Sequence, residues 1–432
     1  MQKKSNPAAL LPIFVFLVLY LGLGLVFEYV LKIPMGFYSI PIVVIFLIAL
    51  LVACCQNHTL SFDEKLVLMG KGIGDKNIVT MLLIFLAAGM FVGVVGRSSA
   101  ESVAYFMLSL IPAKFAVAVL FVVSCFVSTA MGTSVGTITL ITPIAIPIAA
   151  ASGYSLPLCI ASVMGGAMFG DNLSFISDTT IAATRTQECS MRDKFRVNGL
   201  IAVPAAAAVL GLYLLSGAEM PAAAQRQSVE WIPIIPYLAV LVLAVCGVHV
   251  TTVLVTGIVL TGAVGLLGGS VGWIEWIGAL GEGIAGMGEL IVITLLAGGM
   301  LEMIRRGGGI DYLIGALTRK VSGKRTAELS IAALVSMANL CTANNTIAII
   351  TTGPIARQIA DRFGVDRRKS ASLLDSFSCF VQGLIPYGAQ LMIAAGLASV
   401  SPLEIIGYLY YPMALGICSL LAILLRYPRK YS

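Results

Sequence analysis

Apolar runs long enough to cross a bilayer follow one another along this 432-residue chain, and its charged residues fall mainly in the short connections between them. About 20 apolar residues in a helix span the roughly 30 Å hydrocarbon core. Only helices and closed barrels satisfy every backbone hydrogen bond there, and unbroken apolar runs, as opposed to alternating ones, select helices. Apolar residues make up 59% of the chain and charged ones 11%, against about 25% charged in soluble domains. No polar stretch is long enough for a soluble domain, so the chain reads as one all-α, multi-pass membrane protein. Its first run, from Pro7 into Tyr29, follows Lys3 and Lys4 and reads as a retained span, because no small-residue cleavage site follows it.

The net charge of +6 does not indicate a nucleic-acid partner, since the basic residues sit in short connections, as retention on one side of a membrane requires. Nine cysteines, an odd number without repeated spacing, imply neither a disulfide framework nor a metal cluster. His58 and His249 are far apart in sequence and read as polar residues near span ends. No Gly-x-x-x-x-Gly-Lys-Ser/Thr run occurs to cradle a nucleotide, and no nucleophile and base pair stands out. ATP-driven transport and an enzyme are therefore not expected, and no cofactor is.

Two segments match in punctuation: Thr129 to Tyr154 in the first half and Cys341 to Val365 in the second. Pro143 pairs with Pro354 and Gly153 with Gly364, each at an offset of 211 (354 minus 143; 364 minus 153). The same offset sets Gly72 and Ile73 against Gly283 and Ile284. An offset near half the chain length implies duplication of one structural unit, an arrangement many secondary transporters use. The expected repeats are residues 1–217 and 218–432.

Charge placement implies that the repeats are inverted. The connection holding Arg185, Arg192, Lys194 and Arg196 is basic, whereas its partner near Ala398 to Glu404 has no Lys or Arg. Conversely, Ala151 to Leu156 is uncharged, and its partner holds Arg362, Arg367, Arg368 and Lys369. With both termini and the basic connections in the cytoplasm, only Lys32, Arg97, Lys114 and Arg226 of the 27 Lys and Arg lie outside, leaving 23 inside (27 minus four). Ten crossing helices are expected, near residues 8–30, 37–56, 78–96, 155–185, 198–217, 232–247, 249–268, 289–305, 370–396 and 405–426. Two re-entrant hairpins, about 114–153 and 325–362, complete the layout. The helices at 155–185 and 370–396 are expected to be broken by polar interruptions, and segments 98–112 and 307–318 to lie at the interfaces. The cell membrane is the expected location.

Four polar clusters converge in this layout. The first hairpin tip offers Thr133, Ser134 and Thr137, and the second offers Asn344 and Asn345, with Thr133 opposite Asn344 and Ser134 opposite Asn345 at the repeat offset. The first interruption carries Asp171, Asn172, Ser177, Asp178 and Thr179, and the second begins at Gln382. Neutral oxygens and freed carbonyls suit hard cations; the Ser, Thr and Asn residues could also simply glue helices together, and Asp171 or Asp178 could cap the start of a half-helix. Asp171, Asp178 and Asp375 lie inside crossing helices, where a charge costs at least about 2.5 to 3.5 kcal/mol. Asp171 and Asp178 are seven residues apart (178 minus 171), about two turns, so both can face one cavity. Asp375 is open to a second reading as the partner of a basic residue from the cytoplasmic connections. Glu302 precedes Arg305 and Arg306 by three and four residues and reads as a surface ion pair.

The Gly132-Thr-Ser-Val-Gly-Thr137 tip followed by Gly166-Ala-Met-Phe-Gly-Asp-Asn-Leu-Ser-Phe-Ile-Ser-Asp-Thr-Thr180 resembles NhaC-type sodium/proton antiporters, part of a wider superfamily of inverted repeats with re-entrant hairpins. Carried over residue by residue, the resemblance implies Na+ at Asp171, Asp178, Thr133 and Ser134, with Thr179 beside them. The function expected is electrochemically driven Na+/H+ exchange by alternating access, with Na+ and H+ competing for aspartates. The alternative is a Na+-coupled carrier of an amino acid or small organic acid, held by Asn344, Asn345 and nearby helix starts. A homodimer in the lipid bilayer is expected.

Overall fold

A computed structural model describes residues 6–32, 41–94, 112–174, 177–217 and 234–431, apart from Asn57, Thr59, Asn77, Met81, Ser270, Arg319 and Lys320. Arg97, Arg226 and nearly all of the expected interfacial segment 98–112 lie outside the described residues. The first half contains α1 (Leu11–Leu25), α2 (Ile42–Gln56), α3 (Phe62–Ile73), α4 (Ile78–Val94) and α5 (Ala116–Met131). It continues through α6 (Ser134–Ser152), α7 (Leu156–Leu173), α8 (Asp178–Gln187) and α9 (Met191–Gly217). The second half opens with α10 (Ile234–Val245), α11 (Val250–Leu267), α12 (Trp273–Gly286), α13 (Gly288–Arg306) and α14 (Gly309–Thr318). It closes with α15 (Lys324–Thr342), α16 (Asn345–Phe363), α17 (Arg367–Leu384), α18 (Ala389–Ala398), α19 (Pro402–Ile406) and α20 (Tyr410–Leu424). No strand occurs among the described residues.

Element boundaries recur at the offset read from the sequence. Helices α6 and α16 begin 211 residues apart (345 minus 134), α7 and α17 begin and end 211 apart (367 minus 156; 384 minus 173), and α8 and α18 begin 211 apart (389 minus 178). The local chemistry repeats too. Thr133 and Asn344 are the N-caps of α6 and α16, their side chains accepting from Gly136 and Ile347 amides. Gly153 and Gly364 end these helices at φ of +78° and +70°, a left-handed conformation that glycine adopts without the Cβ penalty.

Eight helical stretches among the described residues are long and apolar enough to cross a membrane, or up to nine when α3 and α4, bent by 61°, count as one span. Ten were expected. Helices α2 and α20 have only 15 residues each, about 22 Å at 1.5 Å per residue, while the two arms expected as a hairpin, Ala113–Met131 (α5 with the 3-10 turn before it) and α6, each meet the length requirement. Two connections read from the sequence are helices: α3 lies within 58–76 and α12 within 269–288. A reciprocal cap starts α3, with Ser61 Oγ accepting from the Glu64 amide at 3.2 Å and Glu64 Oε2 from the Ser61 amide at 2.7 Å.

Close glycine contacts join the two halves through these helices. A Cβ on Gly72 of α3 would lie 2.2 Å from the Gly298 carbonyl of α13, and one on Gly283 of α12 would lie 2.0 Å from the Gly89 carbonyl of α4. The Gly72/Gly283 match in the repeat thus marks two equivalent places where backbone meets backbone. Helices α5 with α6 and α15 with α16 form the two hairpins, and α7 and α17 pack against them and against each other.

Candidate functional site

Gly166 and Gly170 allow α7 to lie directly on α5. A Cβ at Gly170 would stand 2.1 Å from Ser128 Oγ, and one at Gly166 2.4 Å from the Phe121 carbonyl, the close approach that small residues four apart permit between membrane helices. This seats Asp171, the next residue along, beneath the first hairpin tip. There Gly132 (φ +69°) ends α5 and Thr133 caps α6. At the second tip Ala343 (φ +48°) ends α15 and Asn344 caps α16.

Both tips reach Asp171, which is 4% exposed. Ser134 donates its amide to Oδ1 at 3.0 Å and its hydroxyl to Oδ2 at 2.5 Å. Asn345 Nδ2 donates to Oδ2 at 3.4 Å from the other half. Among the described residues no Lys or Arg forms an ion pair with this carboxylate. The Asp171 carbonyl, left over where α7 ends, accepts from Ser177 Oγ at 2.8 Å and Thr179 Oγ1 at 3.0 Å.

A cavity of about 100 Å³ adjoins this point. The tips contribute Thr133, Ser134, Asn344 and Asn345 to its wall, and the broken helices contribute Asp171, Asp178, Thr179 and Gln382. Asp178, the first residue of α8, is exposed. Four expected site residues stand outside the wall. The Thr137 hydroxyl donates back to the Thr133 carbonyl at 3.0 Å, and Ser177 caps α8 by accepting from the Thr180 amide at 3.2 Å. Asn172 turns its carbonyl to α9, accepting from Lys194 Nζ at 2.7 Å and Asn198 Nδ2 at 3.1 Å. Asp375 is fully buried against Lys194 at 2.6 Å and accepts from Asn198 Nδ2 at 2.7 Å.

Two residues of this region escaped the sequence reading. Gln390 donates to Ser134 Oγ at 3.1 Å and accepts from Gln382 Nε2 at 2.7 Å, while Gln382 Nε2 also donates to the Ala343 carbonyl at 3.0 Å. Gln390 is the repeat counterpart of Thr179 (390 minus 179 is 211), a signal present in the sequence. Lys194, counted there among the basic residues of a connection, is instead wholly buried. It lies in the first turn of α9, on a face covered by α7, α8 and α17, and its polarity alone carries no hint of that face.

A second cavity, of about 290 Å³, shares Ala343, Asn344 and Ala389 with the first. Its wall includes Lys71, Asp75, Glu302 and Arg305. Glu302 pairs with Arg305 at 4.0 Å, as the spacing predicts, and with Lys71 at 3.5 Å across the glycine contact.

Comparison with known proteins gives the same layout a family. The family described as "Na+/H+ antiporter family" matches twice, over residues 5–218 and 221–428. The Na(+)/H(+) antiporter NhaC of Bacillus subtilis is 26% identical over 403 residues, covering 83% of this chain and 87% of that one. NhaC of Alkalihalophilus pseudofirmus is 26% identical over 426 residues, covering 90% and 89%. A malate-2H(+)/Na(+)-lactate antiporter of Bacillus subtilis is 23% identical over 431 residues, covering 91% of each. With its two halves matched in turn over nearly their whole length, this chain belongs to the Na+/H+ antiporter family.

Proposed function

We propose that the protein exchanges Na+ for H+ across the cell membrane, the two ions competing for Asp171. One observation carries the reading: Asp171 is a buried carboxylate held by neutral donors from both hairpin tips, with no ion pair to a Lys or Arg among the described residues. A bare charge at membrane depth is costly, so the group is neutralised by a proton or by a cation. Ser134, Thr179 and the carbonyls freed at the tips supply the neutral oxygens a hard cation takes. Since either ion fills the same role, binding one displaces the other and the two flows are coupled. Asp178, on the cavity wall and exposed, receives ions entering the site.

In the orientation set by the basic connections, the termini are cytoplasmic and the repeats are inverted. The larger cavity, whose wall includes Lys71, Glu302 and Arg305, then faces the cytoplasm, the side on which the sequence places these residues. Alternating access follows if the hairpins and broken helices move as a unit to open the other side. The test is purified protein in liposomes with internal pH followed as Na+ is added. Na+ should move protons in wild type and fail to do so in Asp171→Asn.

The larger cavity favours a second reading. It has room for a small organic acid, and Lys71 and Arg305 lie on its wall; a relative is named for malate and lactate exchange. Substrate-dependent proton movement with malate or lactate in the same liposomes would select that reading.

A further inference from the structure

Lys194 sits in a place built for a cation. Its side chain is fully buried, and its three N–H donors have three oxygen partners: Asp375 Oδ2 at 2.6 Å, the Asn172 carbonyl at 2.7 Å and Thr180 Oγ1 at 2.7 Å. These oxygens come from α17, the end of α7 and the first turn of α8. A carboxylate, a hydroxyl and a carbonyl at the negative end of a broken helix are the donors with which hard cations are held. Asn198, one turn further along α9, closes the place by donating to Asn172 and Asp375, while its Oδ1 accepts from Ser372 and Ser376.

We infer that the Lys194 ammonium is a tethered cation filling a second Na+-type site, formed by Asp375, the Asn172 carbonyl and Thr180. The transported ion is thereby confined to Asp171. Two intramembrane carboxylates are neutralised in different ways: Asp375 by a charge that cannot leave, Asp171 by one that can. The site's location also joins the break in α7 to the second half through α9, so a permanent cation there holds the break in one geometry whatever occupies the cavity. The inference rests on the proposed function only for the number of ions in the wild-type chain.

The test is the number of Na+ ions bound per purified full-length chain, by equilibrium dialysis with radioactive Na+. Lys194→Ala should bind one more Na+ than wild type, and Lys194→Ala/Asp375→Asn should return to the wild-type number. Because the readout is a difference, it stands apart from the proposed function, which fails if wild type binds no Na+. Melting is followed in parallel in NaCl and in N-methylglucamine chloride of equal ionic strength. The gain in NaCl should be larger for Lys194→Ala than for wild type and should return to the wild-type gain in the double variant. A folded Lys194→Ala with the wild-type number of ions, or a double variant that keeps the extra ion, overturns the inference. Lys194→Ala that stays unfolded in NaCl overturns it equally, since a Na+ fitting the vacated place would hold Asp375 there.

Discussion

Ser134 engages both carboxylate oxygens of Asp171, its amide 3.0 Å from one and its hydroxyl 2.5 Å from the other. The tip of one hairpin and the end of one half-helix are thereby a single unit, and Gln390 ties the second broken helix to it through the same hydroxyl. Removing the hydroxyl while keeping the amide separates ion binding from folding. Ser134→Ala should weaken Na+ affinity by tenfold or more, on the order of the 1.5 to 3 kcal/mol that a hydrogen bond to a charged group contributes. The apparent Na+ affinity of exchange in liposomes measures it.

Asn345 and Asn344 should behave differently although adjacent. Asn345 reaches Asp171, whereas Asn344 caps α16 through Oδ1 and the Ile347 amide at 3.0 Å. Asn344→Ala should lower the melting temperature by the effect of a lost cap, about 1 kcal/mol, as should Thr133→Ala at the matching position. Asn345→Ala should weaken Na+ affinity with little change in melting. Equal melting of Asn344→Ala and wild type would count against the capping role.

Asp375→Asn should lower stability more than Asp171→Asn does. It leaves the Lys194 ammonium buried without its counter-charge, and breaking a buried pair from one side costs about 3 to 5 kcal/mol. Asp171→Asn removes no ion pair among the described residues and should leave yield and melting close to wild type while abolishing Na+-driven proton movement. Melting curves of the two variants side by side decide this.

The glycine contacts should tolerate no side chain. In Gly283→Val the new Cβ would fall 2.0 Å from the Gly89 carbonyl, so α12 and α4 must separate, at a cost of about 1 to 3 kcal/mol or more. Gly286, on the same helix with open space around its Cβ position, serves as the control: Gly286→Ala should be nearly neutral in the same melting assay.

Orientation can be read with two exposed serines. With Cys55 and Cys246 replaced by Ser, a cysteine at Ser155 should react with an impermeant reagent added outside whole cells, and one at Ser190 only after the membrane is opened. The reverse pattern would put the basic connections outside.

The amino-acid sequence by itself determined the all-helical class, most but not all of the crossing stretches, the duplication at 211 residues and the nearness of Asp171 to both tips. Each of these is a property of one segment, or of two segments compared, and hydropathy, glycine and proline placement carry it directly. The sequence left Asp375 open to pairing with a basic residue of the cytoplasmic connections; only the tertiary structure showed that residue to be Lys194, and Asp171 to have no such partner among the described residues. Both are acidic residues in apolar helices, and what distinguishes them is whether an ammonium from α9 lies against the carboxylate. Lys194 reads as one more basic residue of a connection until α7, α8 and α17 close over it. The partners that decide the chemistry stand 37 residues apart for Ser134 and Asp171, 174 for Asp171 and Asn345 and 256 for Ser134 and Gln390. Burial and charge pairing depend on which faces of packed helices meet, and helix packing across such separations is set by the whole assembly of segments, not by any one of them.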